Sequence, residues 1–174
     1  NMNAERTSSF DIGYETYFNS LDLGFNITYF DIEIEDPLMG SNVDFIQQNF
    51  AGGKNTSKGM ELATNWTNNN KLNIDFNYTY TKSYSGMDCD KPLKDAYGYT
   101  SCLDLSNGPI DSAMVRVPLH AFSSKINYQF NNNHNGSLLL TYKGRTRDYG
   151  TYDQDSYRDQ ILDEYFLVDL ASSY

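Results

Sequence analysis

The sequence predicts an all-β chain: an antiparallel transmembrane β-barrel, represented by about seven strands of a larger barrel. Three observations predict it. Apolar and polar residues alternate with period two over stretches as long as a tilted membrane crossing. Short turns alternate with long connections. Aromatic residues gather near the strand ends, as in the girdles at the two membrane interfaces.

The first strand is predicted over Ser8–Phe18, where Phe10, Ile12, Tyr14 and Phe18 share a face. The second is Leu21–Tyr29, with Leu21, Leu23, Phe25, Ile27 and Tyr29 alternating against Asp22, Gly24, Asn26 and Thr28. Beyond it the parity flips, and Phe30, Ile32 and Ile34 continue on even positions. A β-bulge, or emergence from the membrane, accounts for such a flip. In Gly59–Trp66, Met60, Leu62 and Trp66 oppose Glu61, Ala63 and Asn65. Lys71–Thr81 is the cleanest, dividing Leu72, Ile74, Phe76, Tyr78 and Tyr80 from Asn73, Asp75, Asn77, Thr79 and Thr81. A helix would scatter these residues over all sides. In Ala121–Phe130, Phe122, Ile126, Tyr128 and Phe130 oppose Lys125 and Asn127, while Ser137–Tyr142 and Tyr165–Tyr174 are less regular.

Asn19–Ser20, Asn68–Asn70 and Asn131–Gly136 read as short turns, and Asp36–Lys54, Gly86–Met114 and Asp148–Asp163 as long connections. Long loops at one end and tight turns at the other are the topology of an outer-membrane barrel, with the long loops outside. The aromatics assigned to girdles are Tyr14, Phe18, Tyr29, Phe30, Trp66, Tyr80, Tyr84, Tyr128, Phe130, Tyr142 and Tyr174. Glu61, Asp75, Asn77 and Lys125 are then expected to face the lumen, where their simplest role is to keep the interior wet and hydrogen-bonded. A soluble antiparallel β-sandwich, such as an adhesin or carbohydrate-binding domain, would also alternate and is the competing fold. A passive porin is a further alternative.

Composition bounds the function. Of 174 residues, 39% are hydrophobic, and no apolar run approaches the ~18 residues of a transmembrane helix. The 15 Tyr and 10 Phe suit strands and wet interfaces. A net charge of −10 makes nucleic acid a poor partner, since binding it needs a basic stripe. The two histidines, His120 and His134, fall at opposite ends of one strand, so no hydrolase centre can assemble around them and no enzyme is expected.

Cys89 and Cys102 lie in the longest connection. With no His or further Cys nearby, a disulfide is favoured over zinc. Its closure would contribute ~3 kcal/mol in the entropic account, and would preorganise Asp95, Tyr97 and Tyr99 for a ligand. The connection Asp148–Glu164 carries Tyr149, Tyr152 and Tyr157 among acids; a solvated loop is the favoured reading and no cofactor is expected, with Ca²⁺ the alternative that acidic side chains could bind, although the Asp spacing of a calcium loop is absent. The five Asn-x-Ser/Thr sequons, at Asn26, Asn55, Asn65, Asn77 and Asn135, are what a polar face built of Asn and Thr writes by itself.

Several stretches resemble TonB-dependent receptors. In Asn1–Tyr14, the residues Asn1, Asn3, Glu5, Ser8 and Gly13 match a motif leading into a strand, although both of its prolines are missing. Tyr29–Asp36 is similar to a further family strand. Asn49, Lys58, Gly59, Glu61 and Leu62, then Leu72–Thr81, then Arg116, Val117, Pro118 and His120, then Tyr165–Tyr174 match later motifs in order. Met114–Pro118, Arg147–Gly150 and Asp163–Leu170 look most like cobalamin-receptor-type members. The resemblance implies active uptake of a scarce nutrient, cobalamin or a ferric siderophore, across a bacterial outer membrane. It implies TonB as a partner through a plug domain, lipopolysaccharide and other outer-membrane lipids around the wall, and residues 1–174 as later barrel strands. A plug and earlier strands would precede them, and two further strands would follow.

Overall fold

The computed structural model describes residues 4–43, 46–51, 54–69, 71–86, 114, 116–153 and 156–174. Among these residues eleven strands are formed: β1 Arg6–Phe18, β2 Leu23–Glu35, β3 Leu38–Val43, β4 Ile46–Ala51, β5 Lys54–Asn68, β6 Leu72–Gly86, β7 His120–Asn131, β8 His134–Lys143, β9 Thr146–Asp153, β10 Ser156–Leu162 and β11 Tyr165–Ser173. Seven of them make one antiparallel sheet in the order β1-β2-β5-β6-β7-β8-β11. These are the seven strands that the alternation predicts, each at or near its predicted position. The other four are two separate hairpins, β3–β4 and β9–β10. The first lies within the predicted long connection Asp36–Lys54, and the second occupies Asp148–Asp163 but starts earlier, at Thr146.

The sheet is a single layer. Among the described residues, extensive contacts join only ladder neighbours. Among the described residues no hydrophobic side chain is buried, and large ones such as Phe10, Ile12, Tyr14, Phe166, Val168 and Leu170 are more than half exposed. A β-sandwich needs a second sheet packed about 10 Å away over a shared apolar core. None is present among the described residues, and the sandwich reading fails on that point. A sheet with one large bare apolar face needs an apolar solvent.

The three short connections close at one end. Leu21 N–H donates to Phe18 O at 3.0 Å, and Asp22 takes φ 52°. The second strand therefore begins at Leu23, later than predicted, and runs on to Glu35. Asn69, at φ 50°, turns the chain between β5 and β6; Asn tolerates the left-handed region better than most residues. The turn predicted over Asn131–Gly136 is tighter than expected: β8 already begins at His134, and the register shifts beside the turn, between Gln129 and Asn131.

The parity flip after Tyr29 has no bulge behind it. The β1–β2 and β2–β5 ladders run unbroken past it, pairing Tyr29 with Ile12 and Met60, then Phe30 with Asp11 and Gly59. The backbone stays regular while the side-chain chemistry of the two faces exchanges. Phe30 does not join the girdle; it lies on the opposite face, against Gly59. Its even position in the ladder leaves it no other face.

Candidate functional site

Pairing across the sheet sorts every strand residue onto one of two faces. On the first face a row crosses all seven strands: Phe18, Leu23, Trp66, Ile74, Ile126, Leu138 and Leu170 are successive ladder partners. Two rows toward the long connections lie Tyr14, Ile27, Leu62, Tyr78, Phe122, Tyr142 and Phe166; the next row is Ile12, Tyr29, Met60, Tyr80 and His120. From the first row to the last, this face carries no Asp, Glu, Lys or Arg. Its aromatic rings touch: Phe122 and Tyr142 stack at 5.2 Å, Phe76 and Phe122 at 6.2 Å, and Tyr80 meets His120 at 5.3 Å. His120 Nδ1 lies 2.8 Å from the Tyr78 hydroxyl. His134 opens β8, opposite Asn131 at the far end of β7, with Nε2 2.9 Å from Ser172 Oγ. The two imidazoles are thus held apart by the length of a strand.

The second face holds the charges of the same stretch. Glu61, Asp75, Asn77 and Lys125 all lie on it. Asp75 sits between Asn65 and Lys125 in the ladder, and Asn65 Nδ2–H donates to Asp75 Oδ1 at 2.5 Å. Asn77 faces Ala63 and Ser123 one row on, and Glu61 faces Thr28 and Thr79 one row further. The amides continue the network: Asn73 Nδ2–H donates to Thr67 Oγ1 at 3.3 Å, and Asn127 Nδ2–H to Asn73 Oδ1 at 3.5 Å. Near the short turns a hollow of about 460 Å³ opens on this face beside Asn73, Asn127, Gln129, Ser137 and Ala171. Such a wall of amides, hydroxyls and a few charges is chemically suited to water and to polar solutes. Among the described residues no three metal-capable side chains converge.

Cys89, Cys102, Asp95, Tyr97 and Tyr99 lie outside the described residues. Tyr149, Tyr152 and Tyr157 fall in the β9–β10 hairpin, where the ladder pairs Tyr152 with Tyr157; their side chains lie outside the described set.

Two polar clasps at the long-connection end were missed by sequence reasoning. Arg116 Nε–H donates to Asp148 Oδ1 at 2.9 Å, and Arg116 N–H donates to Arg147 O at 2.7 Å. Arg145 Nε–H donates to Glu164 Oε2 at 2.7 Å across the base of the β9–β10 hairpin, with Asp163 Oδ1 at 3.8 Å. A backbone hydrogen bond and then the guanidinium hold the Glu164 carboxyl below its ordinary range. Opposite charges flanking one long connection, Arg145 and Asp163–Glu164, are the signal that would have found this clasp.

The sequence profile described as TonB dependent receptor-like, beta-barrel matches residues 1–174. No curated protein matches the chain. Among solved structures, the FrpB iron transporter from Neisseria meningitidis is similar over 98% of this chain and 24% of its own, at 17% identity and TM-score 0.69. The ferripyoverdine receptor of Pseudomonas aeruginosa is similar over 97% of this chain and 21% of its own, at 14% identity and TM-score 0.68. The ferric-catecholate import receptor Fiu from E. coli K12 is similar over 97% and 21%, at 15% identity and TM-score 0.66. The chain therefore spans about a quarter of the length of the solved structures whose fold it shares.

Proposed function

The chain belongs to the TonB-dependent receptor β-barrel family of the bacterial outer membrane, and from that premise we propose that it forms an arc of a transporter wall for active uptake of a scarce nutrient. The observation that carries the reading is the segregation of charge. One face is free of Asp, Glu, Lys and Arg across the apolar rows, while Glu61, Asp75 and Lys125 occupy the other. A Lys or Arg at the midplane of the lipid face costs about 2–4 kcal/mol, so the bare face belongs to lipid and the polar face to the lumen. The long connections then lie outside the cell, and Asp95, Tyr97, Tyr99, Tyr149, Tyr152 and Tyr157 are the proposed ligand contacts.

The ligand we propose is a ferric siderophore or cobalamin. The similar solved structures are named for iron, ferripyoverdine and a ferric catecholate, which favours the first. Among the described residues no strand pairs with the outer sides of β1 and β11, and lipid cannot satisfy their backbone groups. Further strands on both sides, and a plug that engages TonB, complete the proposed protein.

The test is ligand binding and uptake by the full-length protein. Ferric siderophores and cobalamin are titrated onto the purified protein, and uptake is measured in cells with and without TonB. Expected are saturable binding, TonB-dependent uptake and a loss of affinity when residues 148–163 are deleted. Ligand-independent conductance without saturable binding would make the protein a passive porin. Unchanged affinity after the deletion would sink the loop assignment alone.

A further inference from the structure

The first charges on the lipid face form one ladder row. Asp31 pairs with Lys58, and Lys58 pairs with Lys82. Directly opposite like charges destabilise a sheet, so two adjacent lysines on an outward face need a reason. Their neighbours do not neutralise both. The Asp31 carboxylate accepts a hydrogen bond from the Tyr29 hydroxyl at 3.2 Å, and no ion pair joins it to Lys58 among the described residues. Lys82 Nζ lies 5.3 Å from the centroid of the Tyr84 ring. Lys54, by contrast, is bound to Glu33 at 2.5 Å. Lys58 and Lys82 are both exposed.

The height of the row identifies what lies beside it. Lys82 is ten residues beyond Leu72, the start of β6 at the short turn. At ~3.3 Å per residue and a tilt of about 40°, that is ~25 Å above the inner edge, the full height of the apolar band. The row immediately below holds Tyr29, Met60, Tyr80 and His120, with amphipathic rings suited to an interface. Lys58 and Lys82 therefore stand at the headgroup level of the outer leaflet, facing lipid.

We propose that Lys58 and Lys82 form a binding site for a phosphate-bearing lipid headgroup of the outer leaflet. Two ammonium groups on partnered residues of adjacent strands can flank one phosphate, and the phosphate removes their mutual repulsion. The acyl chains then lie along the continuous apolar face below. The proposal rests on the outward orientation of the long connections argued above.

The full-length protein, purified in detergent, is loaded with diphosphorylated lipid A and examined by native mass spectrometry. Retention is expected to fall about tenfold in Lys58→Gln/Lys82→Gln, and to be kept in Lys58→Arg/Lys82→Arg. Wild-type protein is expected to retain dephosphorylated lipid A as poorly as the glutamine variant does, a comparison that needs no variant to fold. Equal retention of the two lipids by wild-type protein, or undiminished retention by the glutamine variant, overturns the proposal. Displacement of lipid A by equimolar inorganic phosphate also overturns it, in favour of a free-phosphate site. Orientation is read separately, by labelling Ser41→Cys on whole cells with a membrane-impermeant thiol reagent. Labelling is expected; its absence overturns the orientation, and with it the transport reading. Labelling together with unchanged lipid retention overturns the lysine site alone.

Discussion

The Phe30 ring covers Gly59: a Cβ placed on Gly59 would stand 2.9 Å from Phe30 Cζ and would overlap the Tyr80 carbonyl oxygen. The second contact is with backbone, so no rotamer change relieves it. Gly59→Ala should force the β5–β6 ladder apart locally, at an overpacking cost of about 1–3 kcal/mol. In the full-length protein the heat-modifiable folded band should melt at a lower temperature. Phe30→Ala should not rescue it, because the carbonyl contact remains. Rescue by that second change would assign the clash to the ring instead.

Ser57 and Ser83 share a hydrogen bond of 2.9 Å on the inner face, and Ser83 is only 6% exposed. Removing either hydroxyl should destabilise by ~1 kcal/mol, and removing both should cost less than the sum. A double-mutant cycle on urea unfolding in lipid vesicles measures the coupling. Strict additivity would mean that the two hydroxyls do not interact.

Trp66 Nε1–H donates to the carbonyl of Leu21 at 2.9 Å, tying β5 to the β1–β2 turn. Trp66→Phe should cost ~1 kcal/mol and loosen that turn. As the one Trp of this chain, it also reports depth. With any other Trp of the full-length protein replaced by Phe, its fluorescence should be quenched more by lipids brominated near the headgroup than by lipids brominated at the chain end. The opposite order would place the short turns deeper than the interface.

The Arg145–Glu164 clasp should respond to acid. Glu164 is held below its ordinary value of 4.5, chiefly by a backbone hydrogen bond and then by Arg145. A lowered folded pKa means that the contribution is complete above 4.5 and disappears as pH falls through the lowered value. Protection of amides at the base of the β9–β10 hairpin, taken relative to the intrinsic exchange rate at each pH, should fall in that range. Glu164→Gln should show the same low protection throughout it. Both groups are exposed, so ~1 M salt should mimic part of the acid effect at neutral pH.

The seven sheet strands were legible because lipid imposes parity: a crossing residue faces either hydrocarbon or water. Leu72–Thr81 shows it best, and the five further residues of the strand, Lys82–Gly86, lie where that pressure has ended. The hairpins β3–β4 and β9–β10 were invisible for the same reason. Segments such as Ile46–Ala51, with Gln47, Gln48 and Asn49 in a row, show no alternation to read. Phe30 lies near a strand end, as a girdle residue would, but its position in the ladder turns it to the other face. Parity was enough to put Glu61, Asp75, Asn77 and Lys125 on one face. It could not reveal that Asn65 meets Asp75, because that contact depends on which residues pair across β5 and β6.

The ladders from β1 through β7 run without a register shift. This sets a rule of arithmetic on how the wall can diverge. One residue inserted within β5 would turn Met60, Leu62 and Trp66 toward water and Glu61 toward lipid, whereas two would restore every side chain to its side. Strand lengths in descendants of this chain should therefore change in even steps, and odd-numbered insertions and deletions should collect in the turns and outer connections.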